Sequence, residues 1–497
     1  MLSDGLNSEV GSCERTRLLN EAASRTNATN PNDAAKPIHK TTIRPVLVLP
    51  VSFLASLALH MTAASSAWAF AYLFCQNPKA CKDVEKSRYA GSVAIAITLA
   101  NLAGLISLGY LEKLVKWDAR VSLIAWLTCR SLGVLGIAVG VYLHNFSCLL
   151  GGQVLQGLAS DNLLHFNLNS VYAQADSTKR VSTLMGTSLA LYMMGMAIGP
   201  AGAGLLPSFE WSFFVAVGLF SVAIIYVLAV VSHSRHRNKD DIHDDNGHSC
   251  APTSRSYISN NNRDESGRLM AMLSPARFFL DHPGAVLQGL SLFLYNMVQG
   301  YEINLIFIFA SVQFGFTARE NGILLSVVAV VAATYLLSSL FLVPRLLRIK
   351  AIVTKKKNTA TLTADQEYMA RQALDHPKKE GRVFDLGAAA LAILIQATAA
   401  LFLSQVHTAD QLYLATAMTA LGFAAPSFIK SYFVASLPDP TQGVSGLALM
   451  ETSGGLLSPM ILGLWQASRP DSSVFYVAAG ILAGALVLLI VGARFHR

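Results

Sequence analysis

Twelve stretches of this chain are apolar over about 20 residues. They lie at 46–73, 90–111, 121–143, 147–171, 182–206, 211–232, 284–311, 321–343, 384–406, 411–435, 443–466 and 472–493. A run of that length crosses a bilayer when helical, and in hydrocarbon only a helix or a closed barrel satisfies its own backbone. Charged residues make up 14% of the chain and hydrophobic ones 53%, against about 25% charged in soluble domains. The fold class that follows is an all-α membrane protein with 12 transmembrane helices, six on each side of a hydrophilic stretch. The expected domains are a disordered cytoplasmic tail at 1–43, an N-terminal six-helix bundle at 44–232 and a cytoplasmic linker at 233–280. A C-terminal bundle follows at 281–493, with a cytoplasmic insert at 349–383 and a short tail at 494–497.

Lys and Arg orient the chain. With the N-terminus in the cytoplasm, 30 of the 38 basic residues fall in cytoplasmic segments, as the positive-inside rule requires. Six face outward: Lys79, Lys82, Lys86, Arg88, Arg319 and Arg469. The net charge of +8 therefore reads as topology, and nucleic acid is not an expected partner. Cys75 and Cys81 share the first outward loop, either as free thiols or as a disulfide. The six cysteines have no metal-ligand spacing, and neither a metal nor another cofactor is expected. No signal peptide precedes the first span, since 1–43 is polar and too long for one. Within that tail, Glu14 through Leu18 and Leu19 fits an acidic dileucine signal read by a sorting adaptor. The linker's histidines and aspartates read as a solvated connection between halves.

The two halves look related. Asn169 to Tyr172, followed by Asp176 and Ser182, lines up with Lys430 to Phe433, followed by Asp439 and Ser445. In the fifth span, Gly186, Gly195, Gly199, Pro200 and Gly204 form a pattern that only a membrane helix tolerates. Interior Gly costs about 1 kcal/mol and Pro about 3 in a soluble helix, whereas in lipid small residues let helices approach closely. This spacing resembles the antiporter signature of major facilitator transporters, although the first of its two closing glycines is Ala203 here. Leu155, Gln156 and Gly157 resemble the family's Arg-x-x-Gln-Gly motif, with Gln153 in the arginine's place. Gly109, Leu111, Glu112, Lys113, Asp118 and Arg120 resemble its cytoplasmic latch after the second span in altered order. The second half, through Phe314 to Phe316, Gly322 to Ser326 and Glu451 to Gly454, resembles a fungal branch of drug and metabolite antiporters. The resemblance covers about 45–495. It implies two parallel, pseudo-repeated six-helix bundles around a central cavity.

Ionisable groups inside spans cost about 3 kcal/mol unless paired or wet, and so mark function. Asp161 lies halfway along the fourth span with His165 one turn later. A carboxylate there suits a proton carrier and the imidazole a relay; the plain alternative is a structural pair that includes Asn162. Glu302 in the seventh span is a second proton-coupling candidate or an outer-gate residue. His60, Asn162, Tyr295, Asn296 and Gln299 are candidates for lining the cavity, with Tyr295 stacking on substrate. Lys430 and Glu451, with Glu112, Lys113 and Arg120, form the expected cytoplasmic gate. Arg130 faces either a buried partner or the headgroups.

These residues, with the resemblance, point to a monomeric secondary transporter of small molecules and protons, not an enzyme. No nucleophile–base pair or phosphate loop is visible. Proton-driven efflux of an amphipathic drug or secondary metabolite leads; a proton-coupled importer of an organic anion or nutrient is the alternative. The expected site is the cell membrane, with a vacuolar or other organellar membrane as the second choice.

Overall fold

The computed structural model describes residues 45–172, 178–231, 283–338, 377–436 and 440–495, and every described element is helical. In the first half these are α1 (Leu49–Phe74), α2 (Asp83–Trp117), α3 (Ala119–Tyr142), α4 (Phe146–Leu158), α5 (Asp161–Tyr172), α6 (Thr178–Gly204) and α7 (Glu210–Tyr226). In the second half they are α8 (Pro283–Phe314), α9 (Ala318–Leu337), α10 (Pro377–Leu403), α11 (Ala409–Gly422), α12 (Ala425–Ser436), α13 (Pro440–Ser458), α14 (Leu464–Ser468) and α15 (Ser473–Phe495). Among the described residues, ten helical stretches are long and apolar enough to cross a membrane. The tail with Leu18 and Leu19, the 233–280 linker and the 349–376 part of the insert lie outside the described residues.

The halves share one packing scheme. α1 packs on α6 and α7, as α8 packs on α13 and α15; α3 packs on α4 and α7, as α10 packs on α11, α12 and α15; α2 packs on α4, as α9 packs on α11. This structural repeat bears out the two-bundle fold. Between halves, α6 meets α9, and α2 meets α14 and the π-helical turn Pro459–Gly463. The named inter-half contacts run from the middle of the bundles toward the end that carries the Cys75–Cys81 loop. The Pro200 carbonyl lies against Gly322, Ala94 against Gly463 and Gly204 against Arg319. Asn101 Nδ2 donates to Gly455 O at 3.2 Å.

Three sequence expectations are refined. α2 does not end at 111: it continues through Trp117, and only Asp118 separates it from α3, where Asp118 caps the next helix by accepting from Arg120 N. Leu, Glu and Lys after Gly109 are good helix formers, with nothing to stop them before Asp118. Cys75 and Cys81 form a disulfide that closes the first outward loop. The third refinement is that the fourth and tenth spans are each broken near the middle, at 159–160 and 423–424.

The two breaks have different causes. Pro426 has no N–H to give the carbonyl four residues back, which is that of Gly422; Tyr295 Oη donates to this carbonyl instead, at 2.7 Å. The fourth span has no such proline. Leu163 N turns back to Ser160 O at 3.1 Å, and Ala159 O is left to Arg130 Nη1 at 3.2 Å. Side chains inserted into a helix ladder are a recognised cause of kinks.

Candidate functional site

The first-half cluster forms at its break. Asp161 is the first residue of α5 and its side chain is 44% exposed. A carboxylate this open cannot face hydrocarbon cheaply, so the opening is to water. Tyr192, from α6, donates its hydroxyl to Asp161 Oδ2 at 3.0 Å. Arg130, from α3, lies with Nη2 3.9 Å from Asp161 Oδ1. Its Nη1 donates to Gln156 O at 2.8 Å as well as to Ala159 O. One turn earlier on α3, Trp126 Nε1 donates to Ser160 O at 2.9 Å.

His60 and His165 flank Tyr192 edge-on, with ring centroids at 5.5 and 4.6 Å. His60 Nδ1 is held 2.8 Å from Ser56 O, which orients the imidazole along α1. The structure thus brings His60, Asp161 and His165 into one cluster around Tyr192. Asp161 takes its described hydrogen bond from Tyr192 and not from His165, so the simple Asp161–His165 pair does not describe this geometry. The side chain of Asn162 lies outside the described residues. Sequence reading missed Tyr192 and left Arg130 open. A charged residue in the middle of an apolar run is the signal that marks Arg130; nothing local marks Tyr192.

The second-half cluster is closed. Glu302 and Gln396 are 2% and 0% exposed, and the Gln396 amide donates to the Glu302 carboxylate. Tyr295 is also fully buried. Its hydroxyl donates to Gly422 O, so in this conformation the ring packs within the bundle. Asn296 is 8% exposed and donates to Leu292 O on its own helix at 2.9 Å. Of the polar group on α8, Gln299 is half-buried. Gln396 was missed; it sits in an apolar run whose pattern shows no partner.

The α6 glycines divide. A Cβ at Gly195 would come within 3 Å of the backbone of Phe53 and Leu57, and one at Gly199 would come 2.8 Å from Leu57 O. These positions continue a seam in which Ser52 Oγ donates to Ser188 O at 2.9 Å and Ser56 Oγ to Tyr192 O at 2.5 Å. Close helix approach through small residues is what they provide. Gly186 meets nothing within 4 Å. Lys430 and Glu451 form an ion pair between α12 and α13. Both lie in the second half, so this pair fastens one bundle internally. Ser431 Oγ donates to Asp385 at 2.6 Å beside it. The side chains of Glu112 and Lys113 lie outside the described residues, and Arg120 Nε is 3.9 Å from Asp118 Oδ1.

The model for the Major Facilitator Superfamily matches residues 48–356, more than half of the chain. The chain belongs to this superfamily. Solved major facilitator folds agree. The peptide transporter POT aligns over 91% of this chain and 95% of its own, with TM-score 0.56 and 12% identity. The nucleoside transporter NupG aligns over 91% and 98%, with TM-score 0.54 and 13% identity. The human organic anion transporter MFSD10 aligns over 90% and 99%, with TM-score 0.50 and 13% identity. No curated protein matches. At such identities the structures share the fold alone. The protein is a multi-pass integral membrane transporter, not an enzyme. Gln153 stands where the resemblance led to an arginine, and a guanidinium from α3, that of Arg130, reaches the last turn of α4 at Gln156 O and Ala159 O.

Proposed function

We propose that this major facilitator protein is a proton-coupled secondary transporter that exports a small amphipathic organic molecule by alternating access. The observation that carries the reading is Asp161. It is an ionisable carboxylate at the break of a membrane span, 44% exposed, beside a buried arginine and a tyrosine donor. Such a group can exchange a proton with water while the bundle stays folded. Glu302, buried against Gln396, is the second protonatable site, and its release of a proton requires its surroundings to move. His60, His165 and Gln299 line the route between substrate and Asp161. Lys430 with Glu451, and Arg120 with Glu112 and Lys113, secure the cytoplasmic ends. The antiporter-type glycines support export over import, and we place the protein in the cell membrane as a monomer.

The test uses full-length protein in proteoliposomes loaded with a pH-sensitive dye. Under an imposed pH gradient, radiolabelled amphipathic amines, carboxylic acids and neutral aromatics are offered in turn. A compound whose movement carries protons with the wild type, and carries none with a folded Asp161→Asn variant, supports the reading. Undiminished proton movement in that variant places coupling elsewhere. Accumulation from the face bearing the N-terminus toward the opposite face marks export; the reverse marks import.

A further inference from the structure

We propose that Arg130 is a positioning residue for transport: an ionic tether that holds α4 and α5 in register across their break, with its grip set by Asp161. The inference rests on reading Asp161 as the group that carries the proton. One guanidinium touches both segments. Its Nη1 takes Gln156 O and Ala159 O at the end of α4, and its Nη2 faces Asp161 at the start of α5. A planar fork of fixed donors can bridge two such targets, where a point charge cannot. The Arg130 side chain is 15% exposed, which strengthens the interaction relative to a solvated pair.

The two sides of the tether differ. The bonds to α4 are to carbonyls, which do not titrate. The hold on α5 is ionic, and it vanishes when Asp161 takes up a proton. Neutralising Asp161 therefore releases Arg130's hold on the start of α5 while its hold on α4 persists; deeper in α5, Ser122 Oγ on α3 still donates to Asn167 Oδ1 at 2.9 Å. The titratable groups facing Asp161 are Arg130, with Cys129 beside it, on α3; Tyr192 on α6; His60 on α1; and His165 on α5 itself. Asp161 is the described carboxylate among them, and Tyr192 keeps one of its oxygens bonded in either charge state.

Trp126 reports on the break directly, because its indole N–H is bonded to Ser160 O. Full-length protein labelled with 5-fluorotryptophan and reconstituted in nanodiscs gives a fluorine resonance for Trp126, assigned by Trp126→Phe. In the wild type this resonance is expected to move on acidification as Asp161 takes up its proton, and Asp161→Asn should abolish the movement. Arg130→Gln should displace the resonance and remove its pH response. Arg130→Lys keeps the charge but loses the fork, and should roughly halve the response. An unaltered response in either arginine variant overturns the tether; if Arg130→Gln does not purify folded, the lysine variant decides. A response that survives Asp161→Asn belongs to His60 or His165 and also overturns it. If Asp161→Asn silences Trp126 but proton flux in proteoliposomes stays coupled, the tether stands and the coupling reading falls.

Discussion

The fourth and tenth spans occupy equivalent places in the two bundles, and both are broken in the middle, yet they are held differently. At 159–160 the freed Ala159 carbonyl is taken by Arg130, Trp126 adds a bond to Ser160 O, and the adjoining carboxylate is open to water. At 423–424 a proline makes the break, a neutral hydroxyl caps it, and the nearby carboxylate is sealed behind Gln396. One repeat therefore carries an accessible ionic joint and the other a dry, hydrogen-bonded one. Duplication conserved the geometry of the joint and left its chemistry free to diverge.

The largest expected effect breaks the dry side. Gln396→Leu leaves Glu302 buried without its amide donor, and should lower stability by about 3 kcal/mol, read as a fall in the thermal unfolding midpoint in detergent. A midpoint within a degree of wild type would show that Glu302 is not sealed in solution.

The α1–α6 seam and its counterpart between α8 and α13 sharpen the comparison next. A Cβ at Gly454 would sit 2.3 Å from Phe293 O, as one at Gly195 would crowd Phe53. Gly454→Ala and Gly195→Ala should each cost about 1–3 kcal/mol by overpacking, whereas Gly186→Ala should be silent. Equal losses at all three would mean that the glycines act through chain flexibility and not through close approach.

The proline's part is isolated by a double-mutant cycle. Tyr295→Phe should cost about 1 kcal/mol in the wild type and close to nothing with Pro426→Ala, because an alanine N–H can take over Gly422 O. Additive effects would separate the hydroxyl from the break.

The smallest effect lies at the outer rim. α2 and α9 both begin with a glutamate that accepts from the backbone N–H at the start of its helix, Glu85 from Lys82 N at 3.1 Å and Glu320 from Thr317 N at 2.8 Å. At Glu320 burial alone would raise the pKa. Bonds from the Thr317 hydroxyl and backbone, with Arg319 nearby, outweigh it and hold the carboxyl below its usual range. The stability it adds is therefore complete above about pH 4.3 and is lost as pH falls through its depressed value. Glu320→Gln should cost about 0.5 kcal/mol near neutrality, and the difference from wild type should close on acidification. A gap that widens toward acid would reverse the assigned sign.

The residue types alone determined a great deal. Apolar run lengths marked the membrane spans, because a bilayer admits few solutions for a backbone that must satisfy itself, and the glycine pattern in α6 carried the resemblance to the superfamily. Asp161, His165 and His60 were legible as candidates for the same reason: charge in hydrocarbon is costly wherever it occurs. The tenth span reads as unbroken over 411–435, although Pro426 removes a donor locally and so marks its break in the sequence. Tertiary structure alone decided the break in the fourth span, the commitment of Tyr295 to packing, and the meeting of Arg130, Tyr192 and Asp161 at one point. Each depends on side chains delivered from other helices, and no local pattern encodes which turn of a neighbour a long side chain will reach.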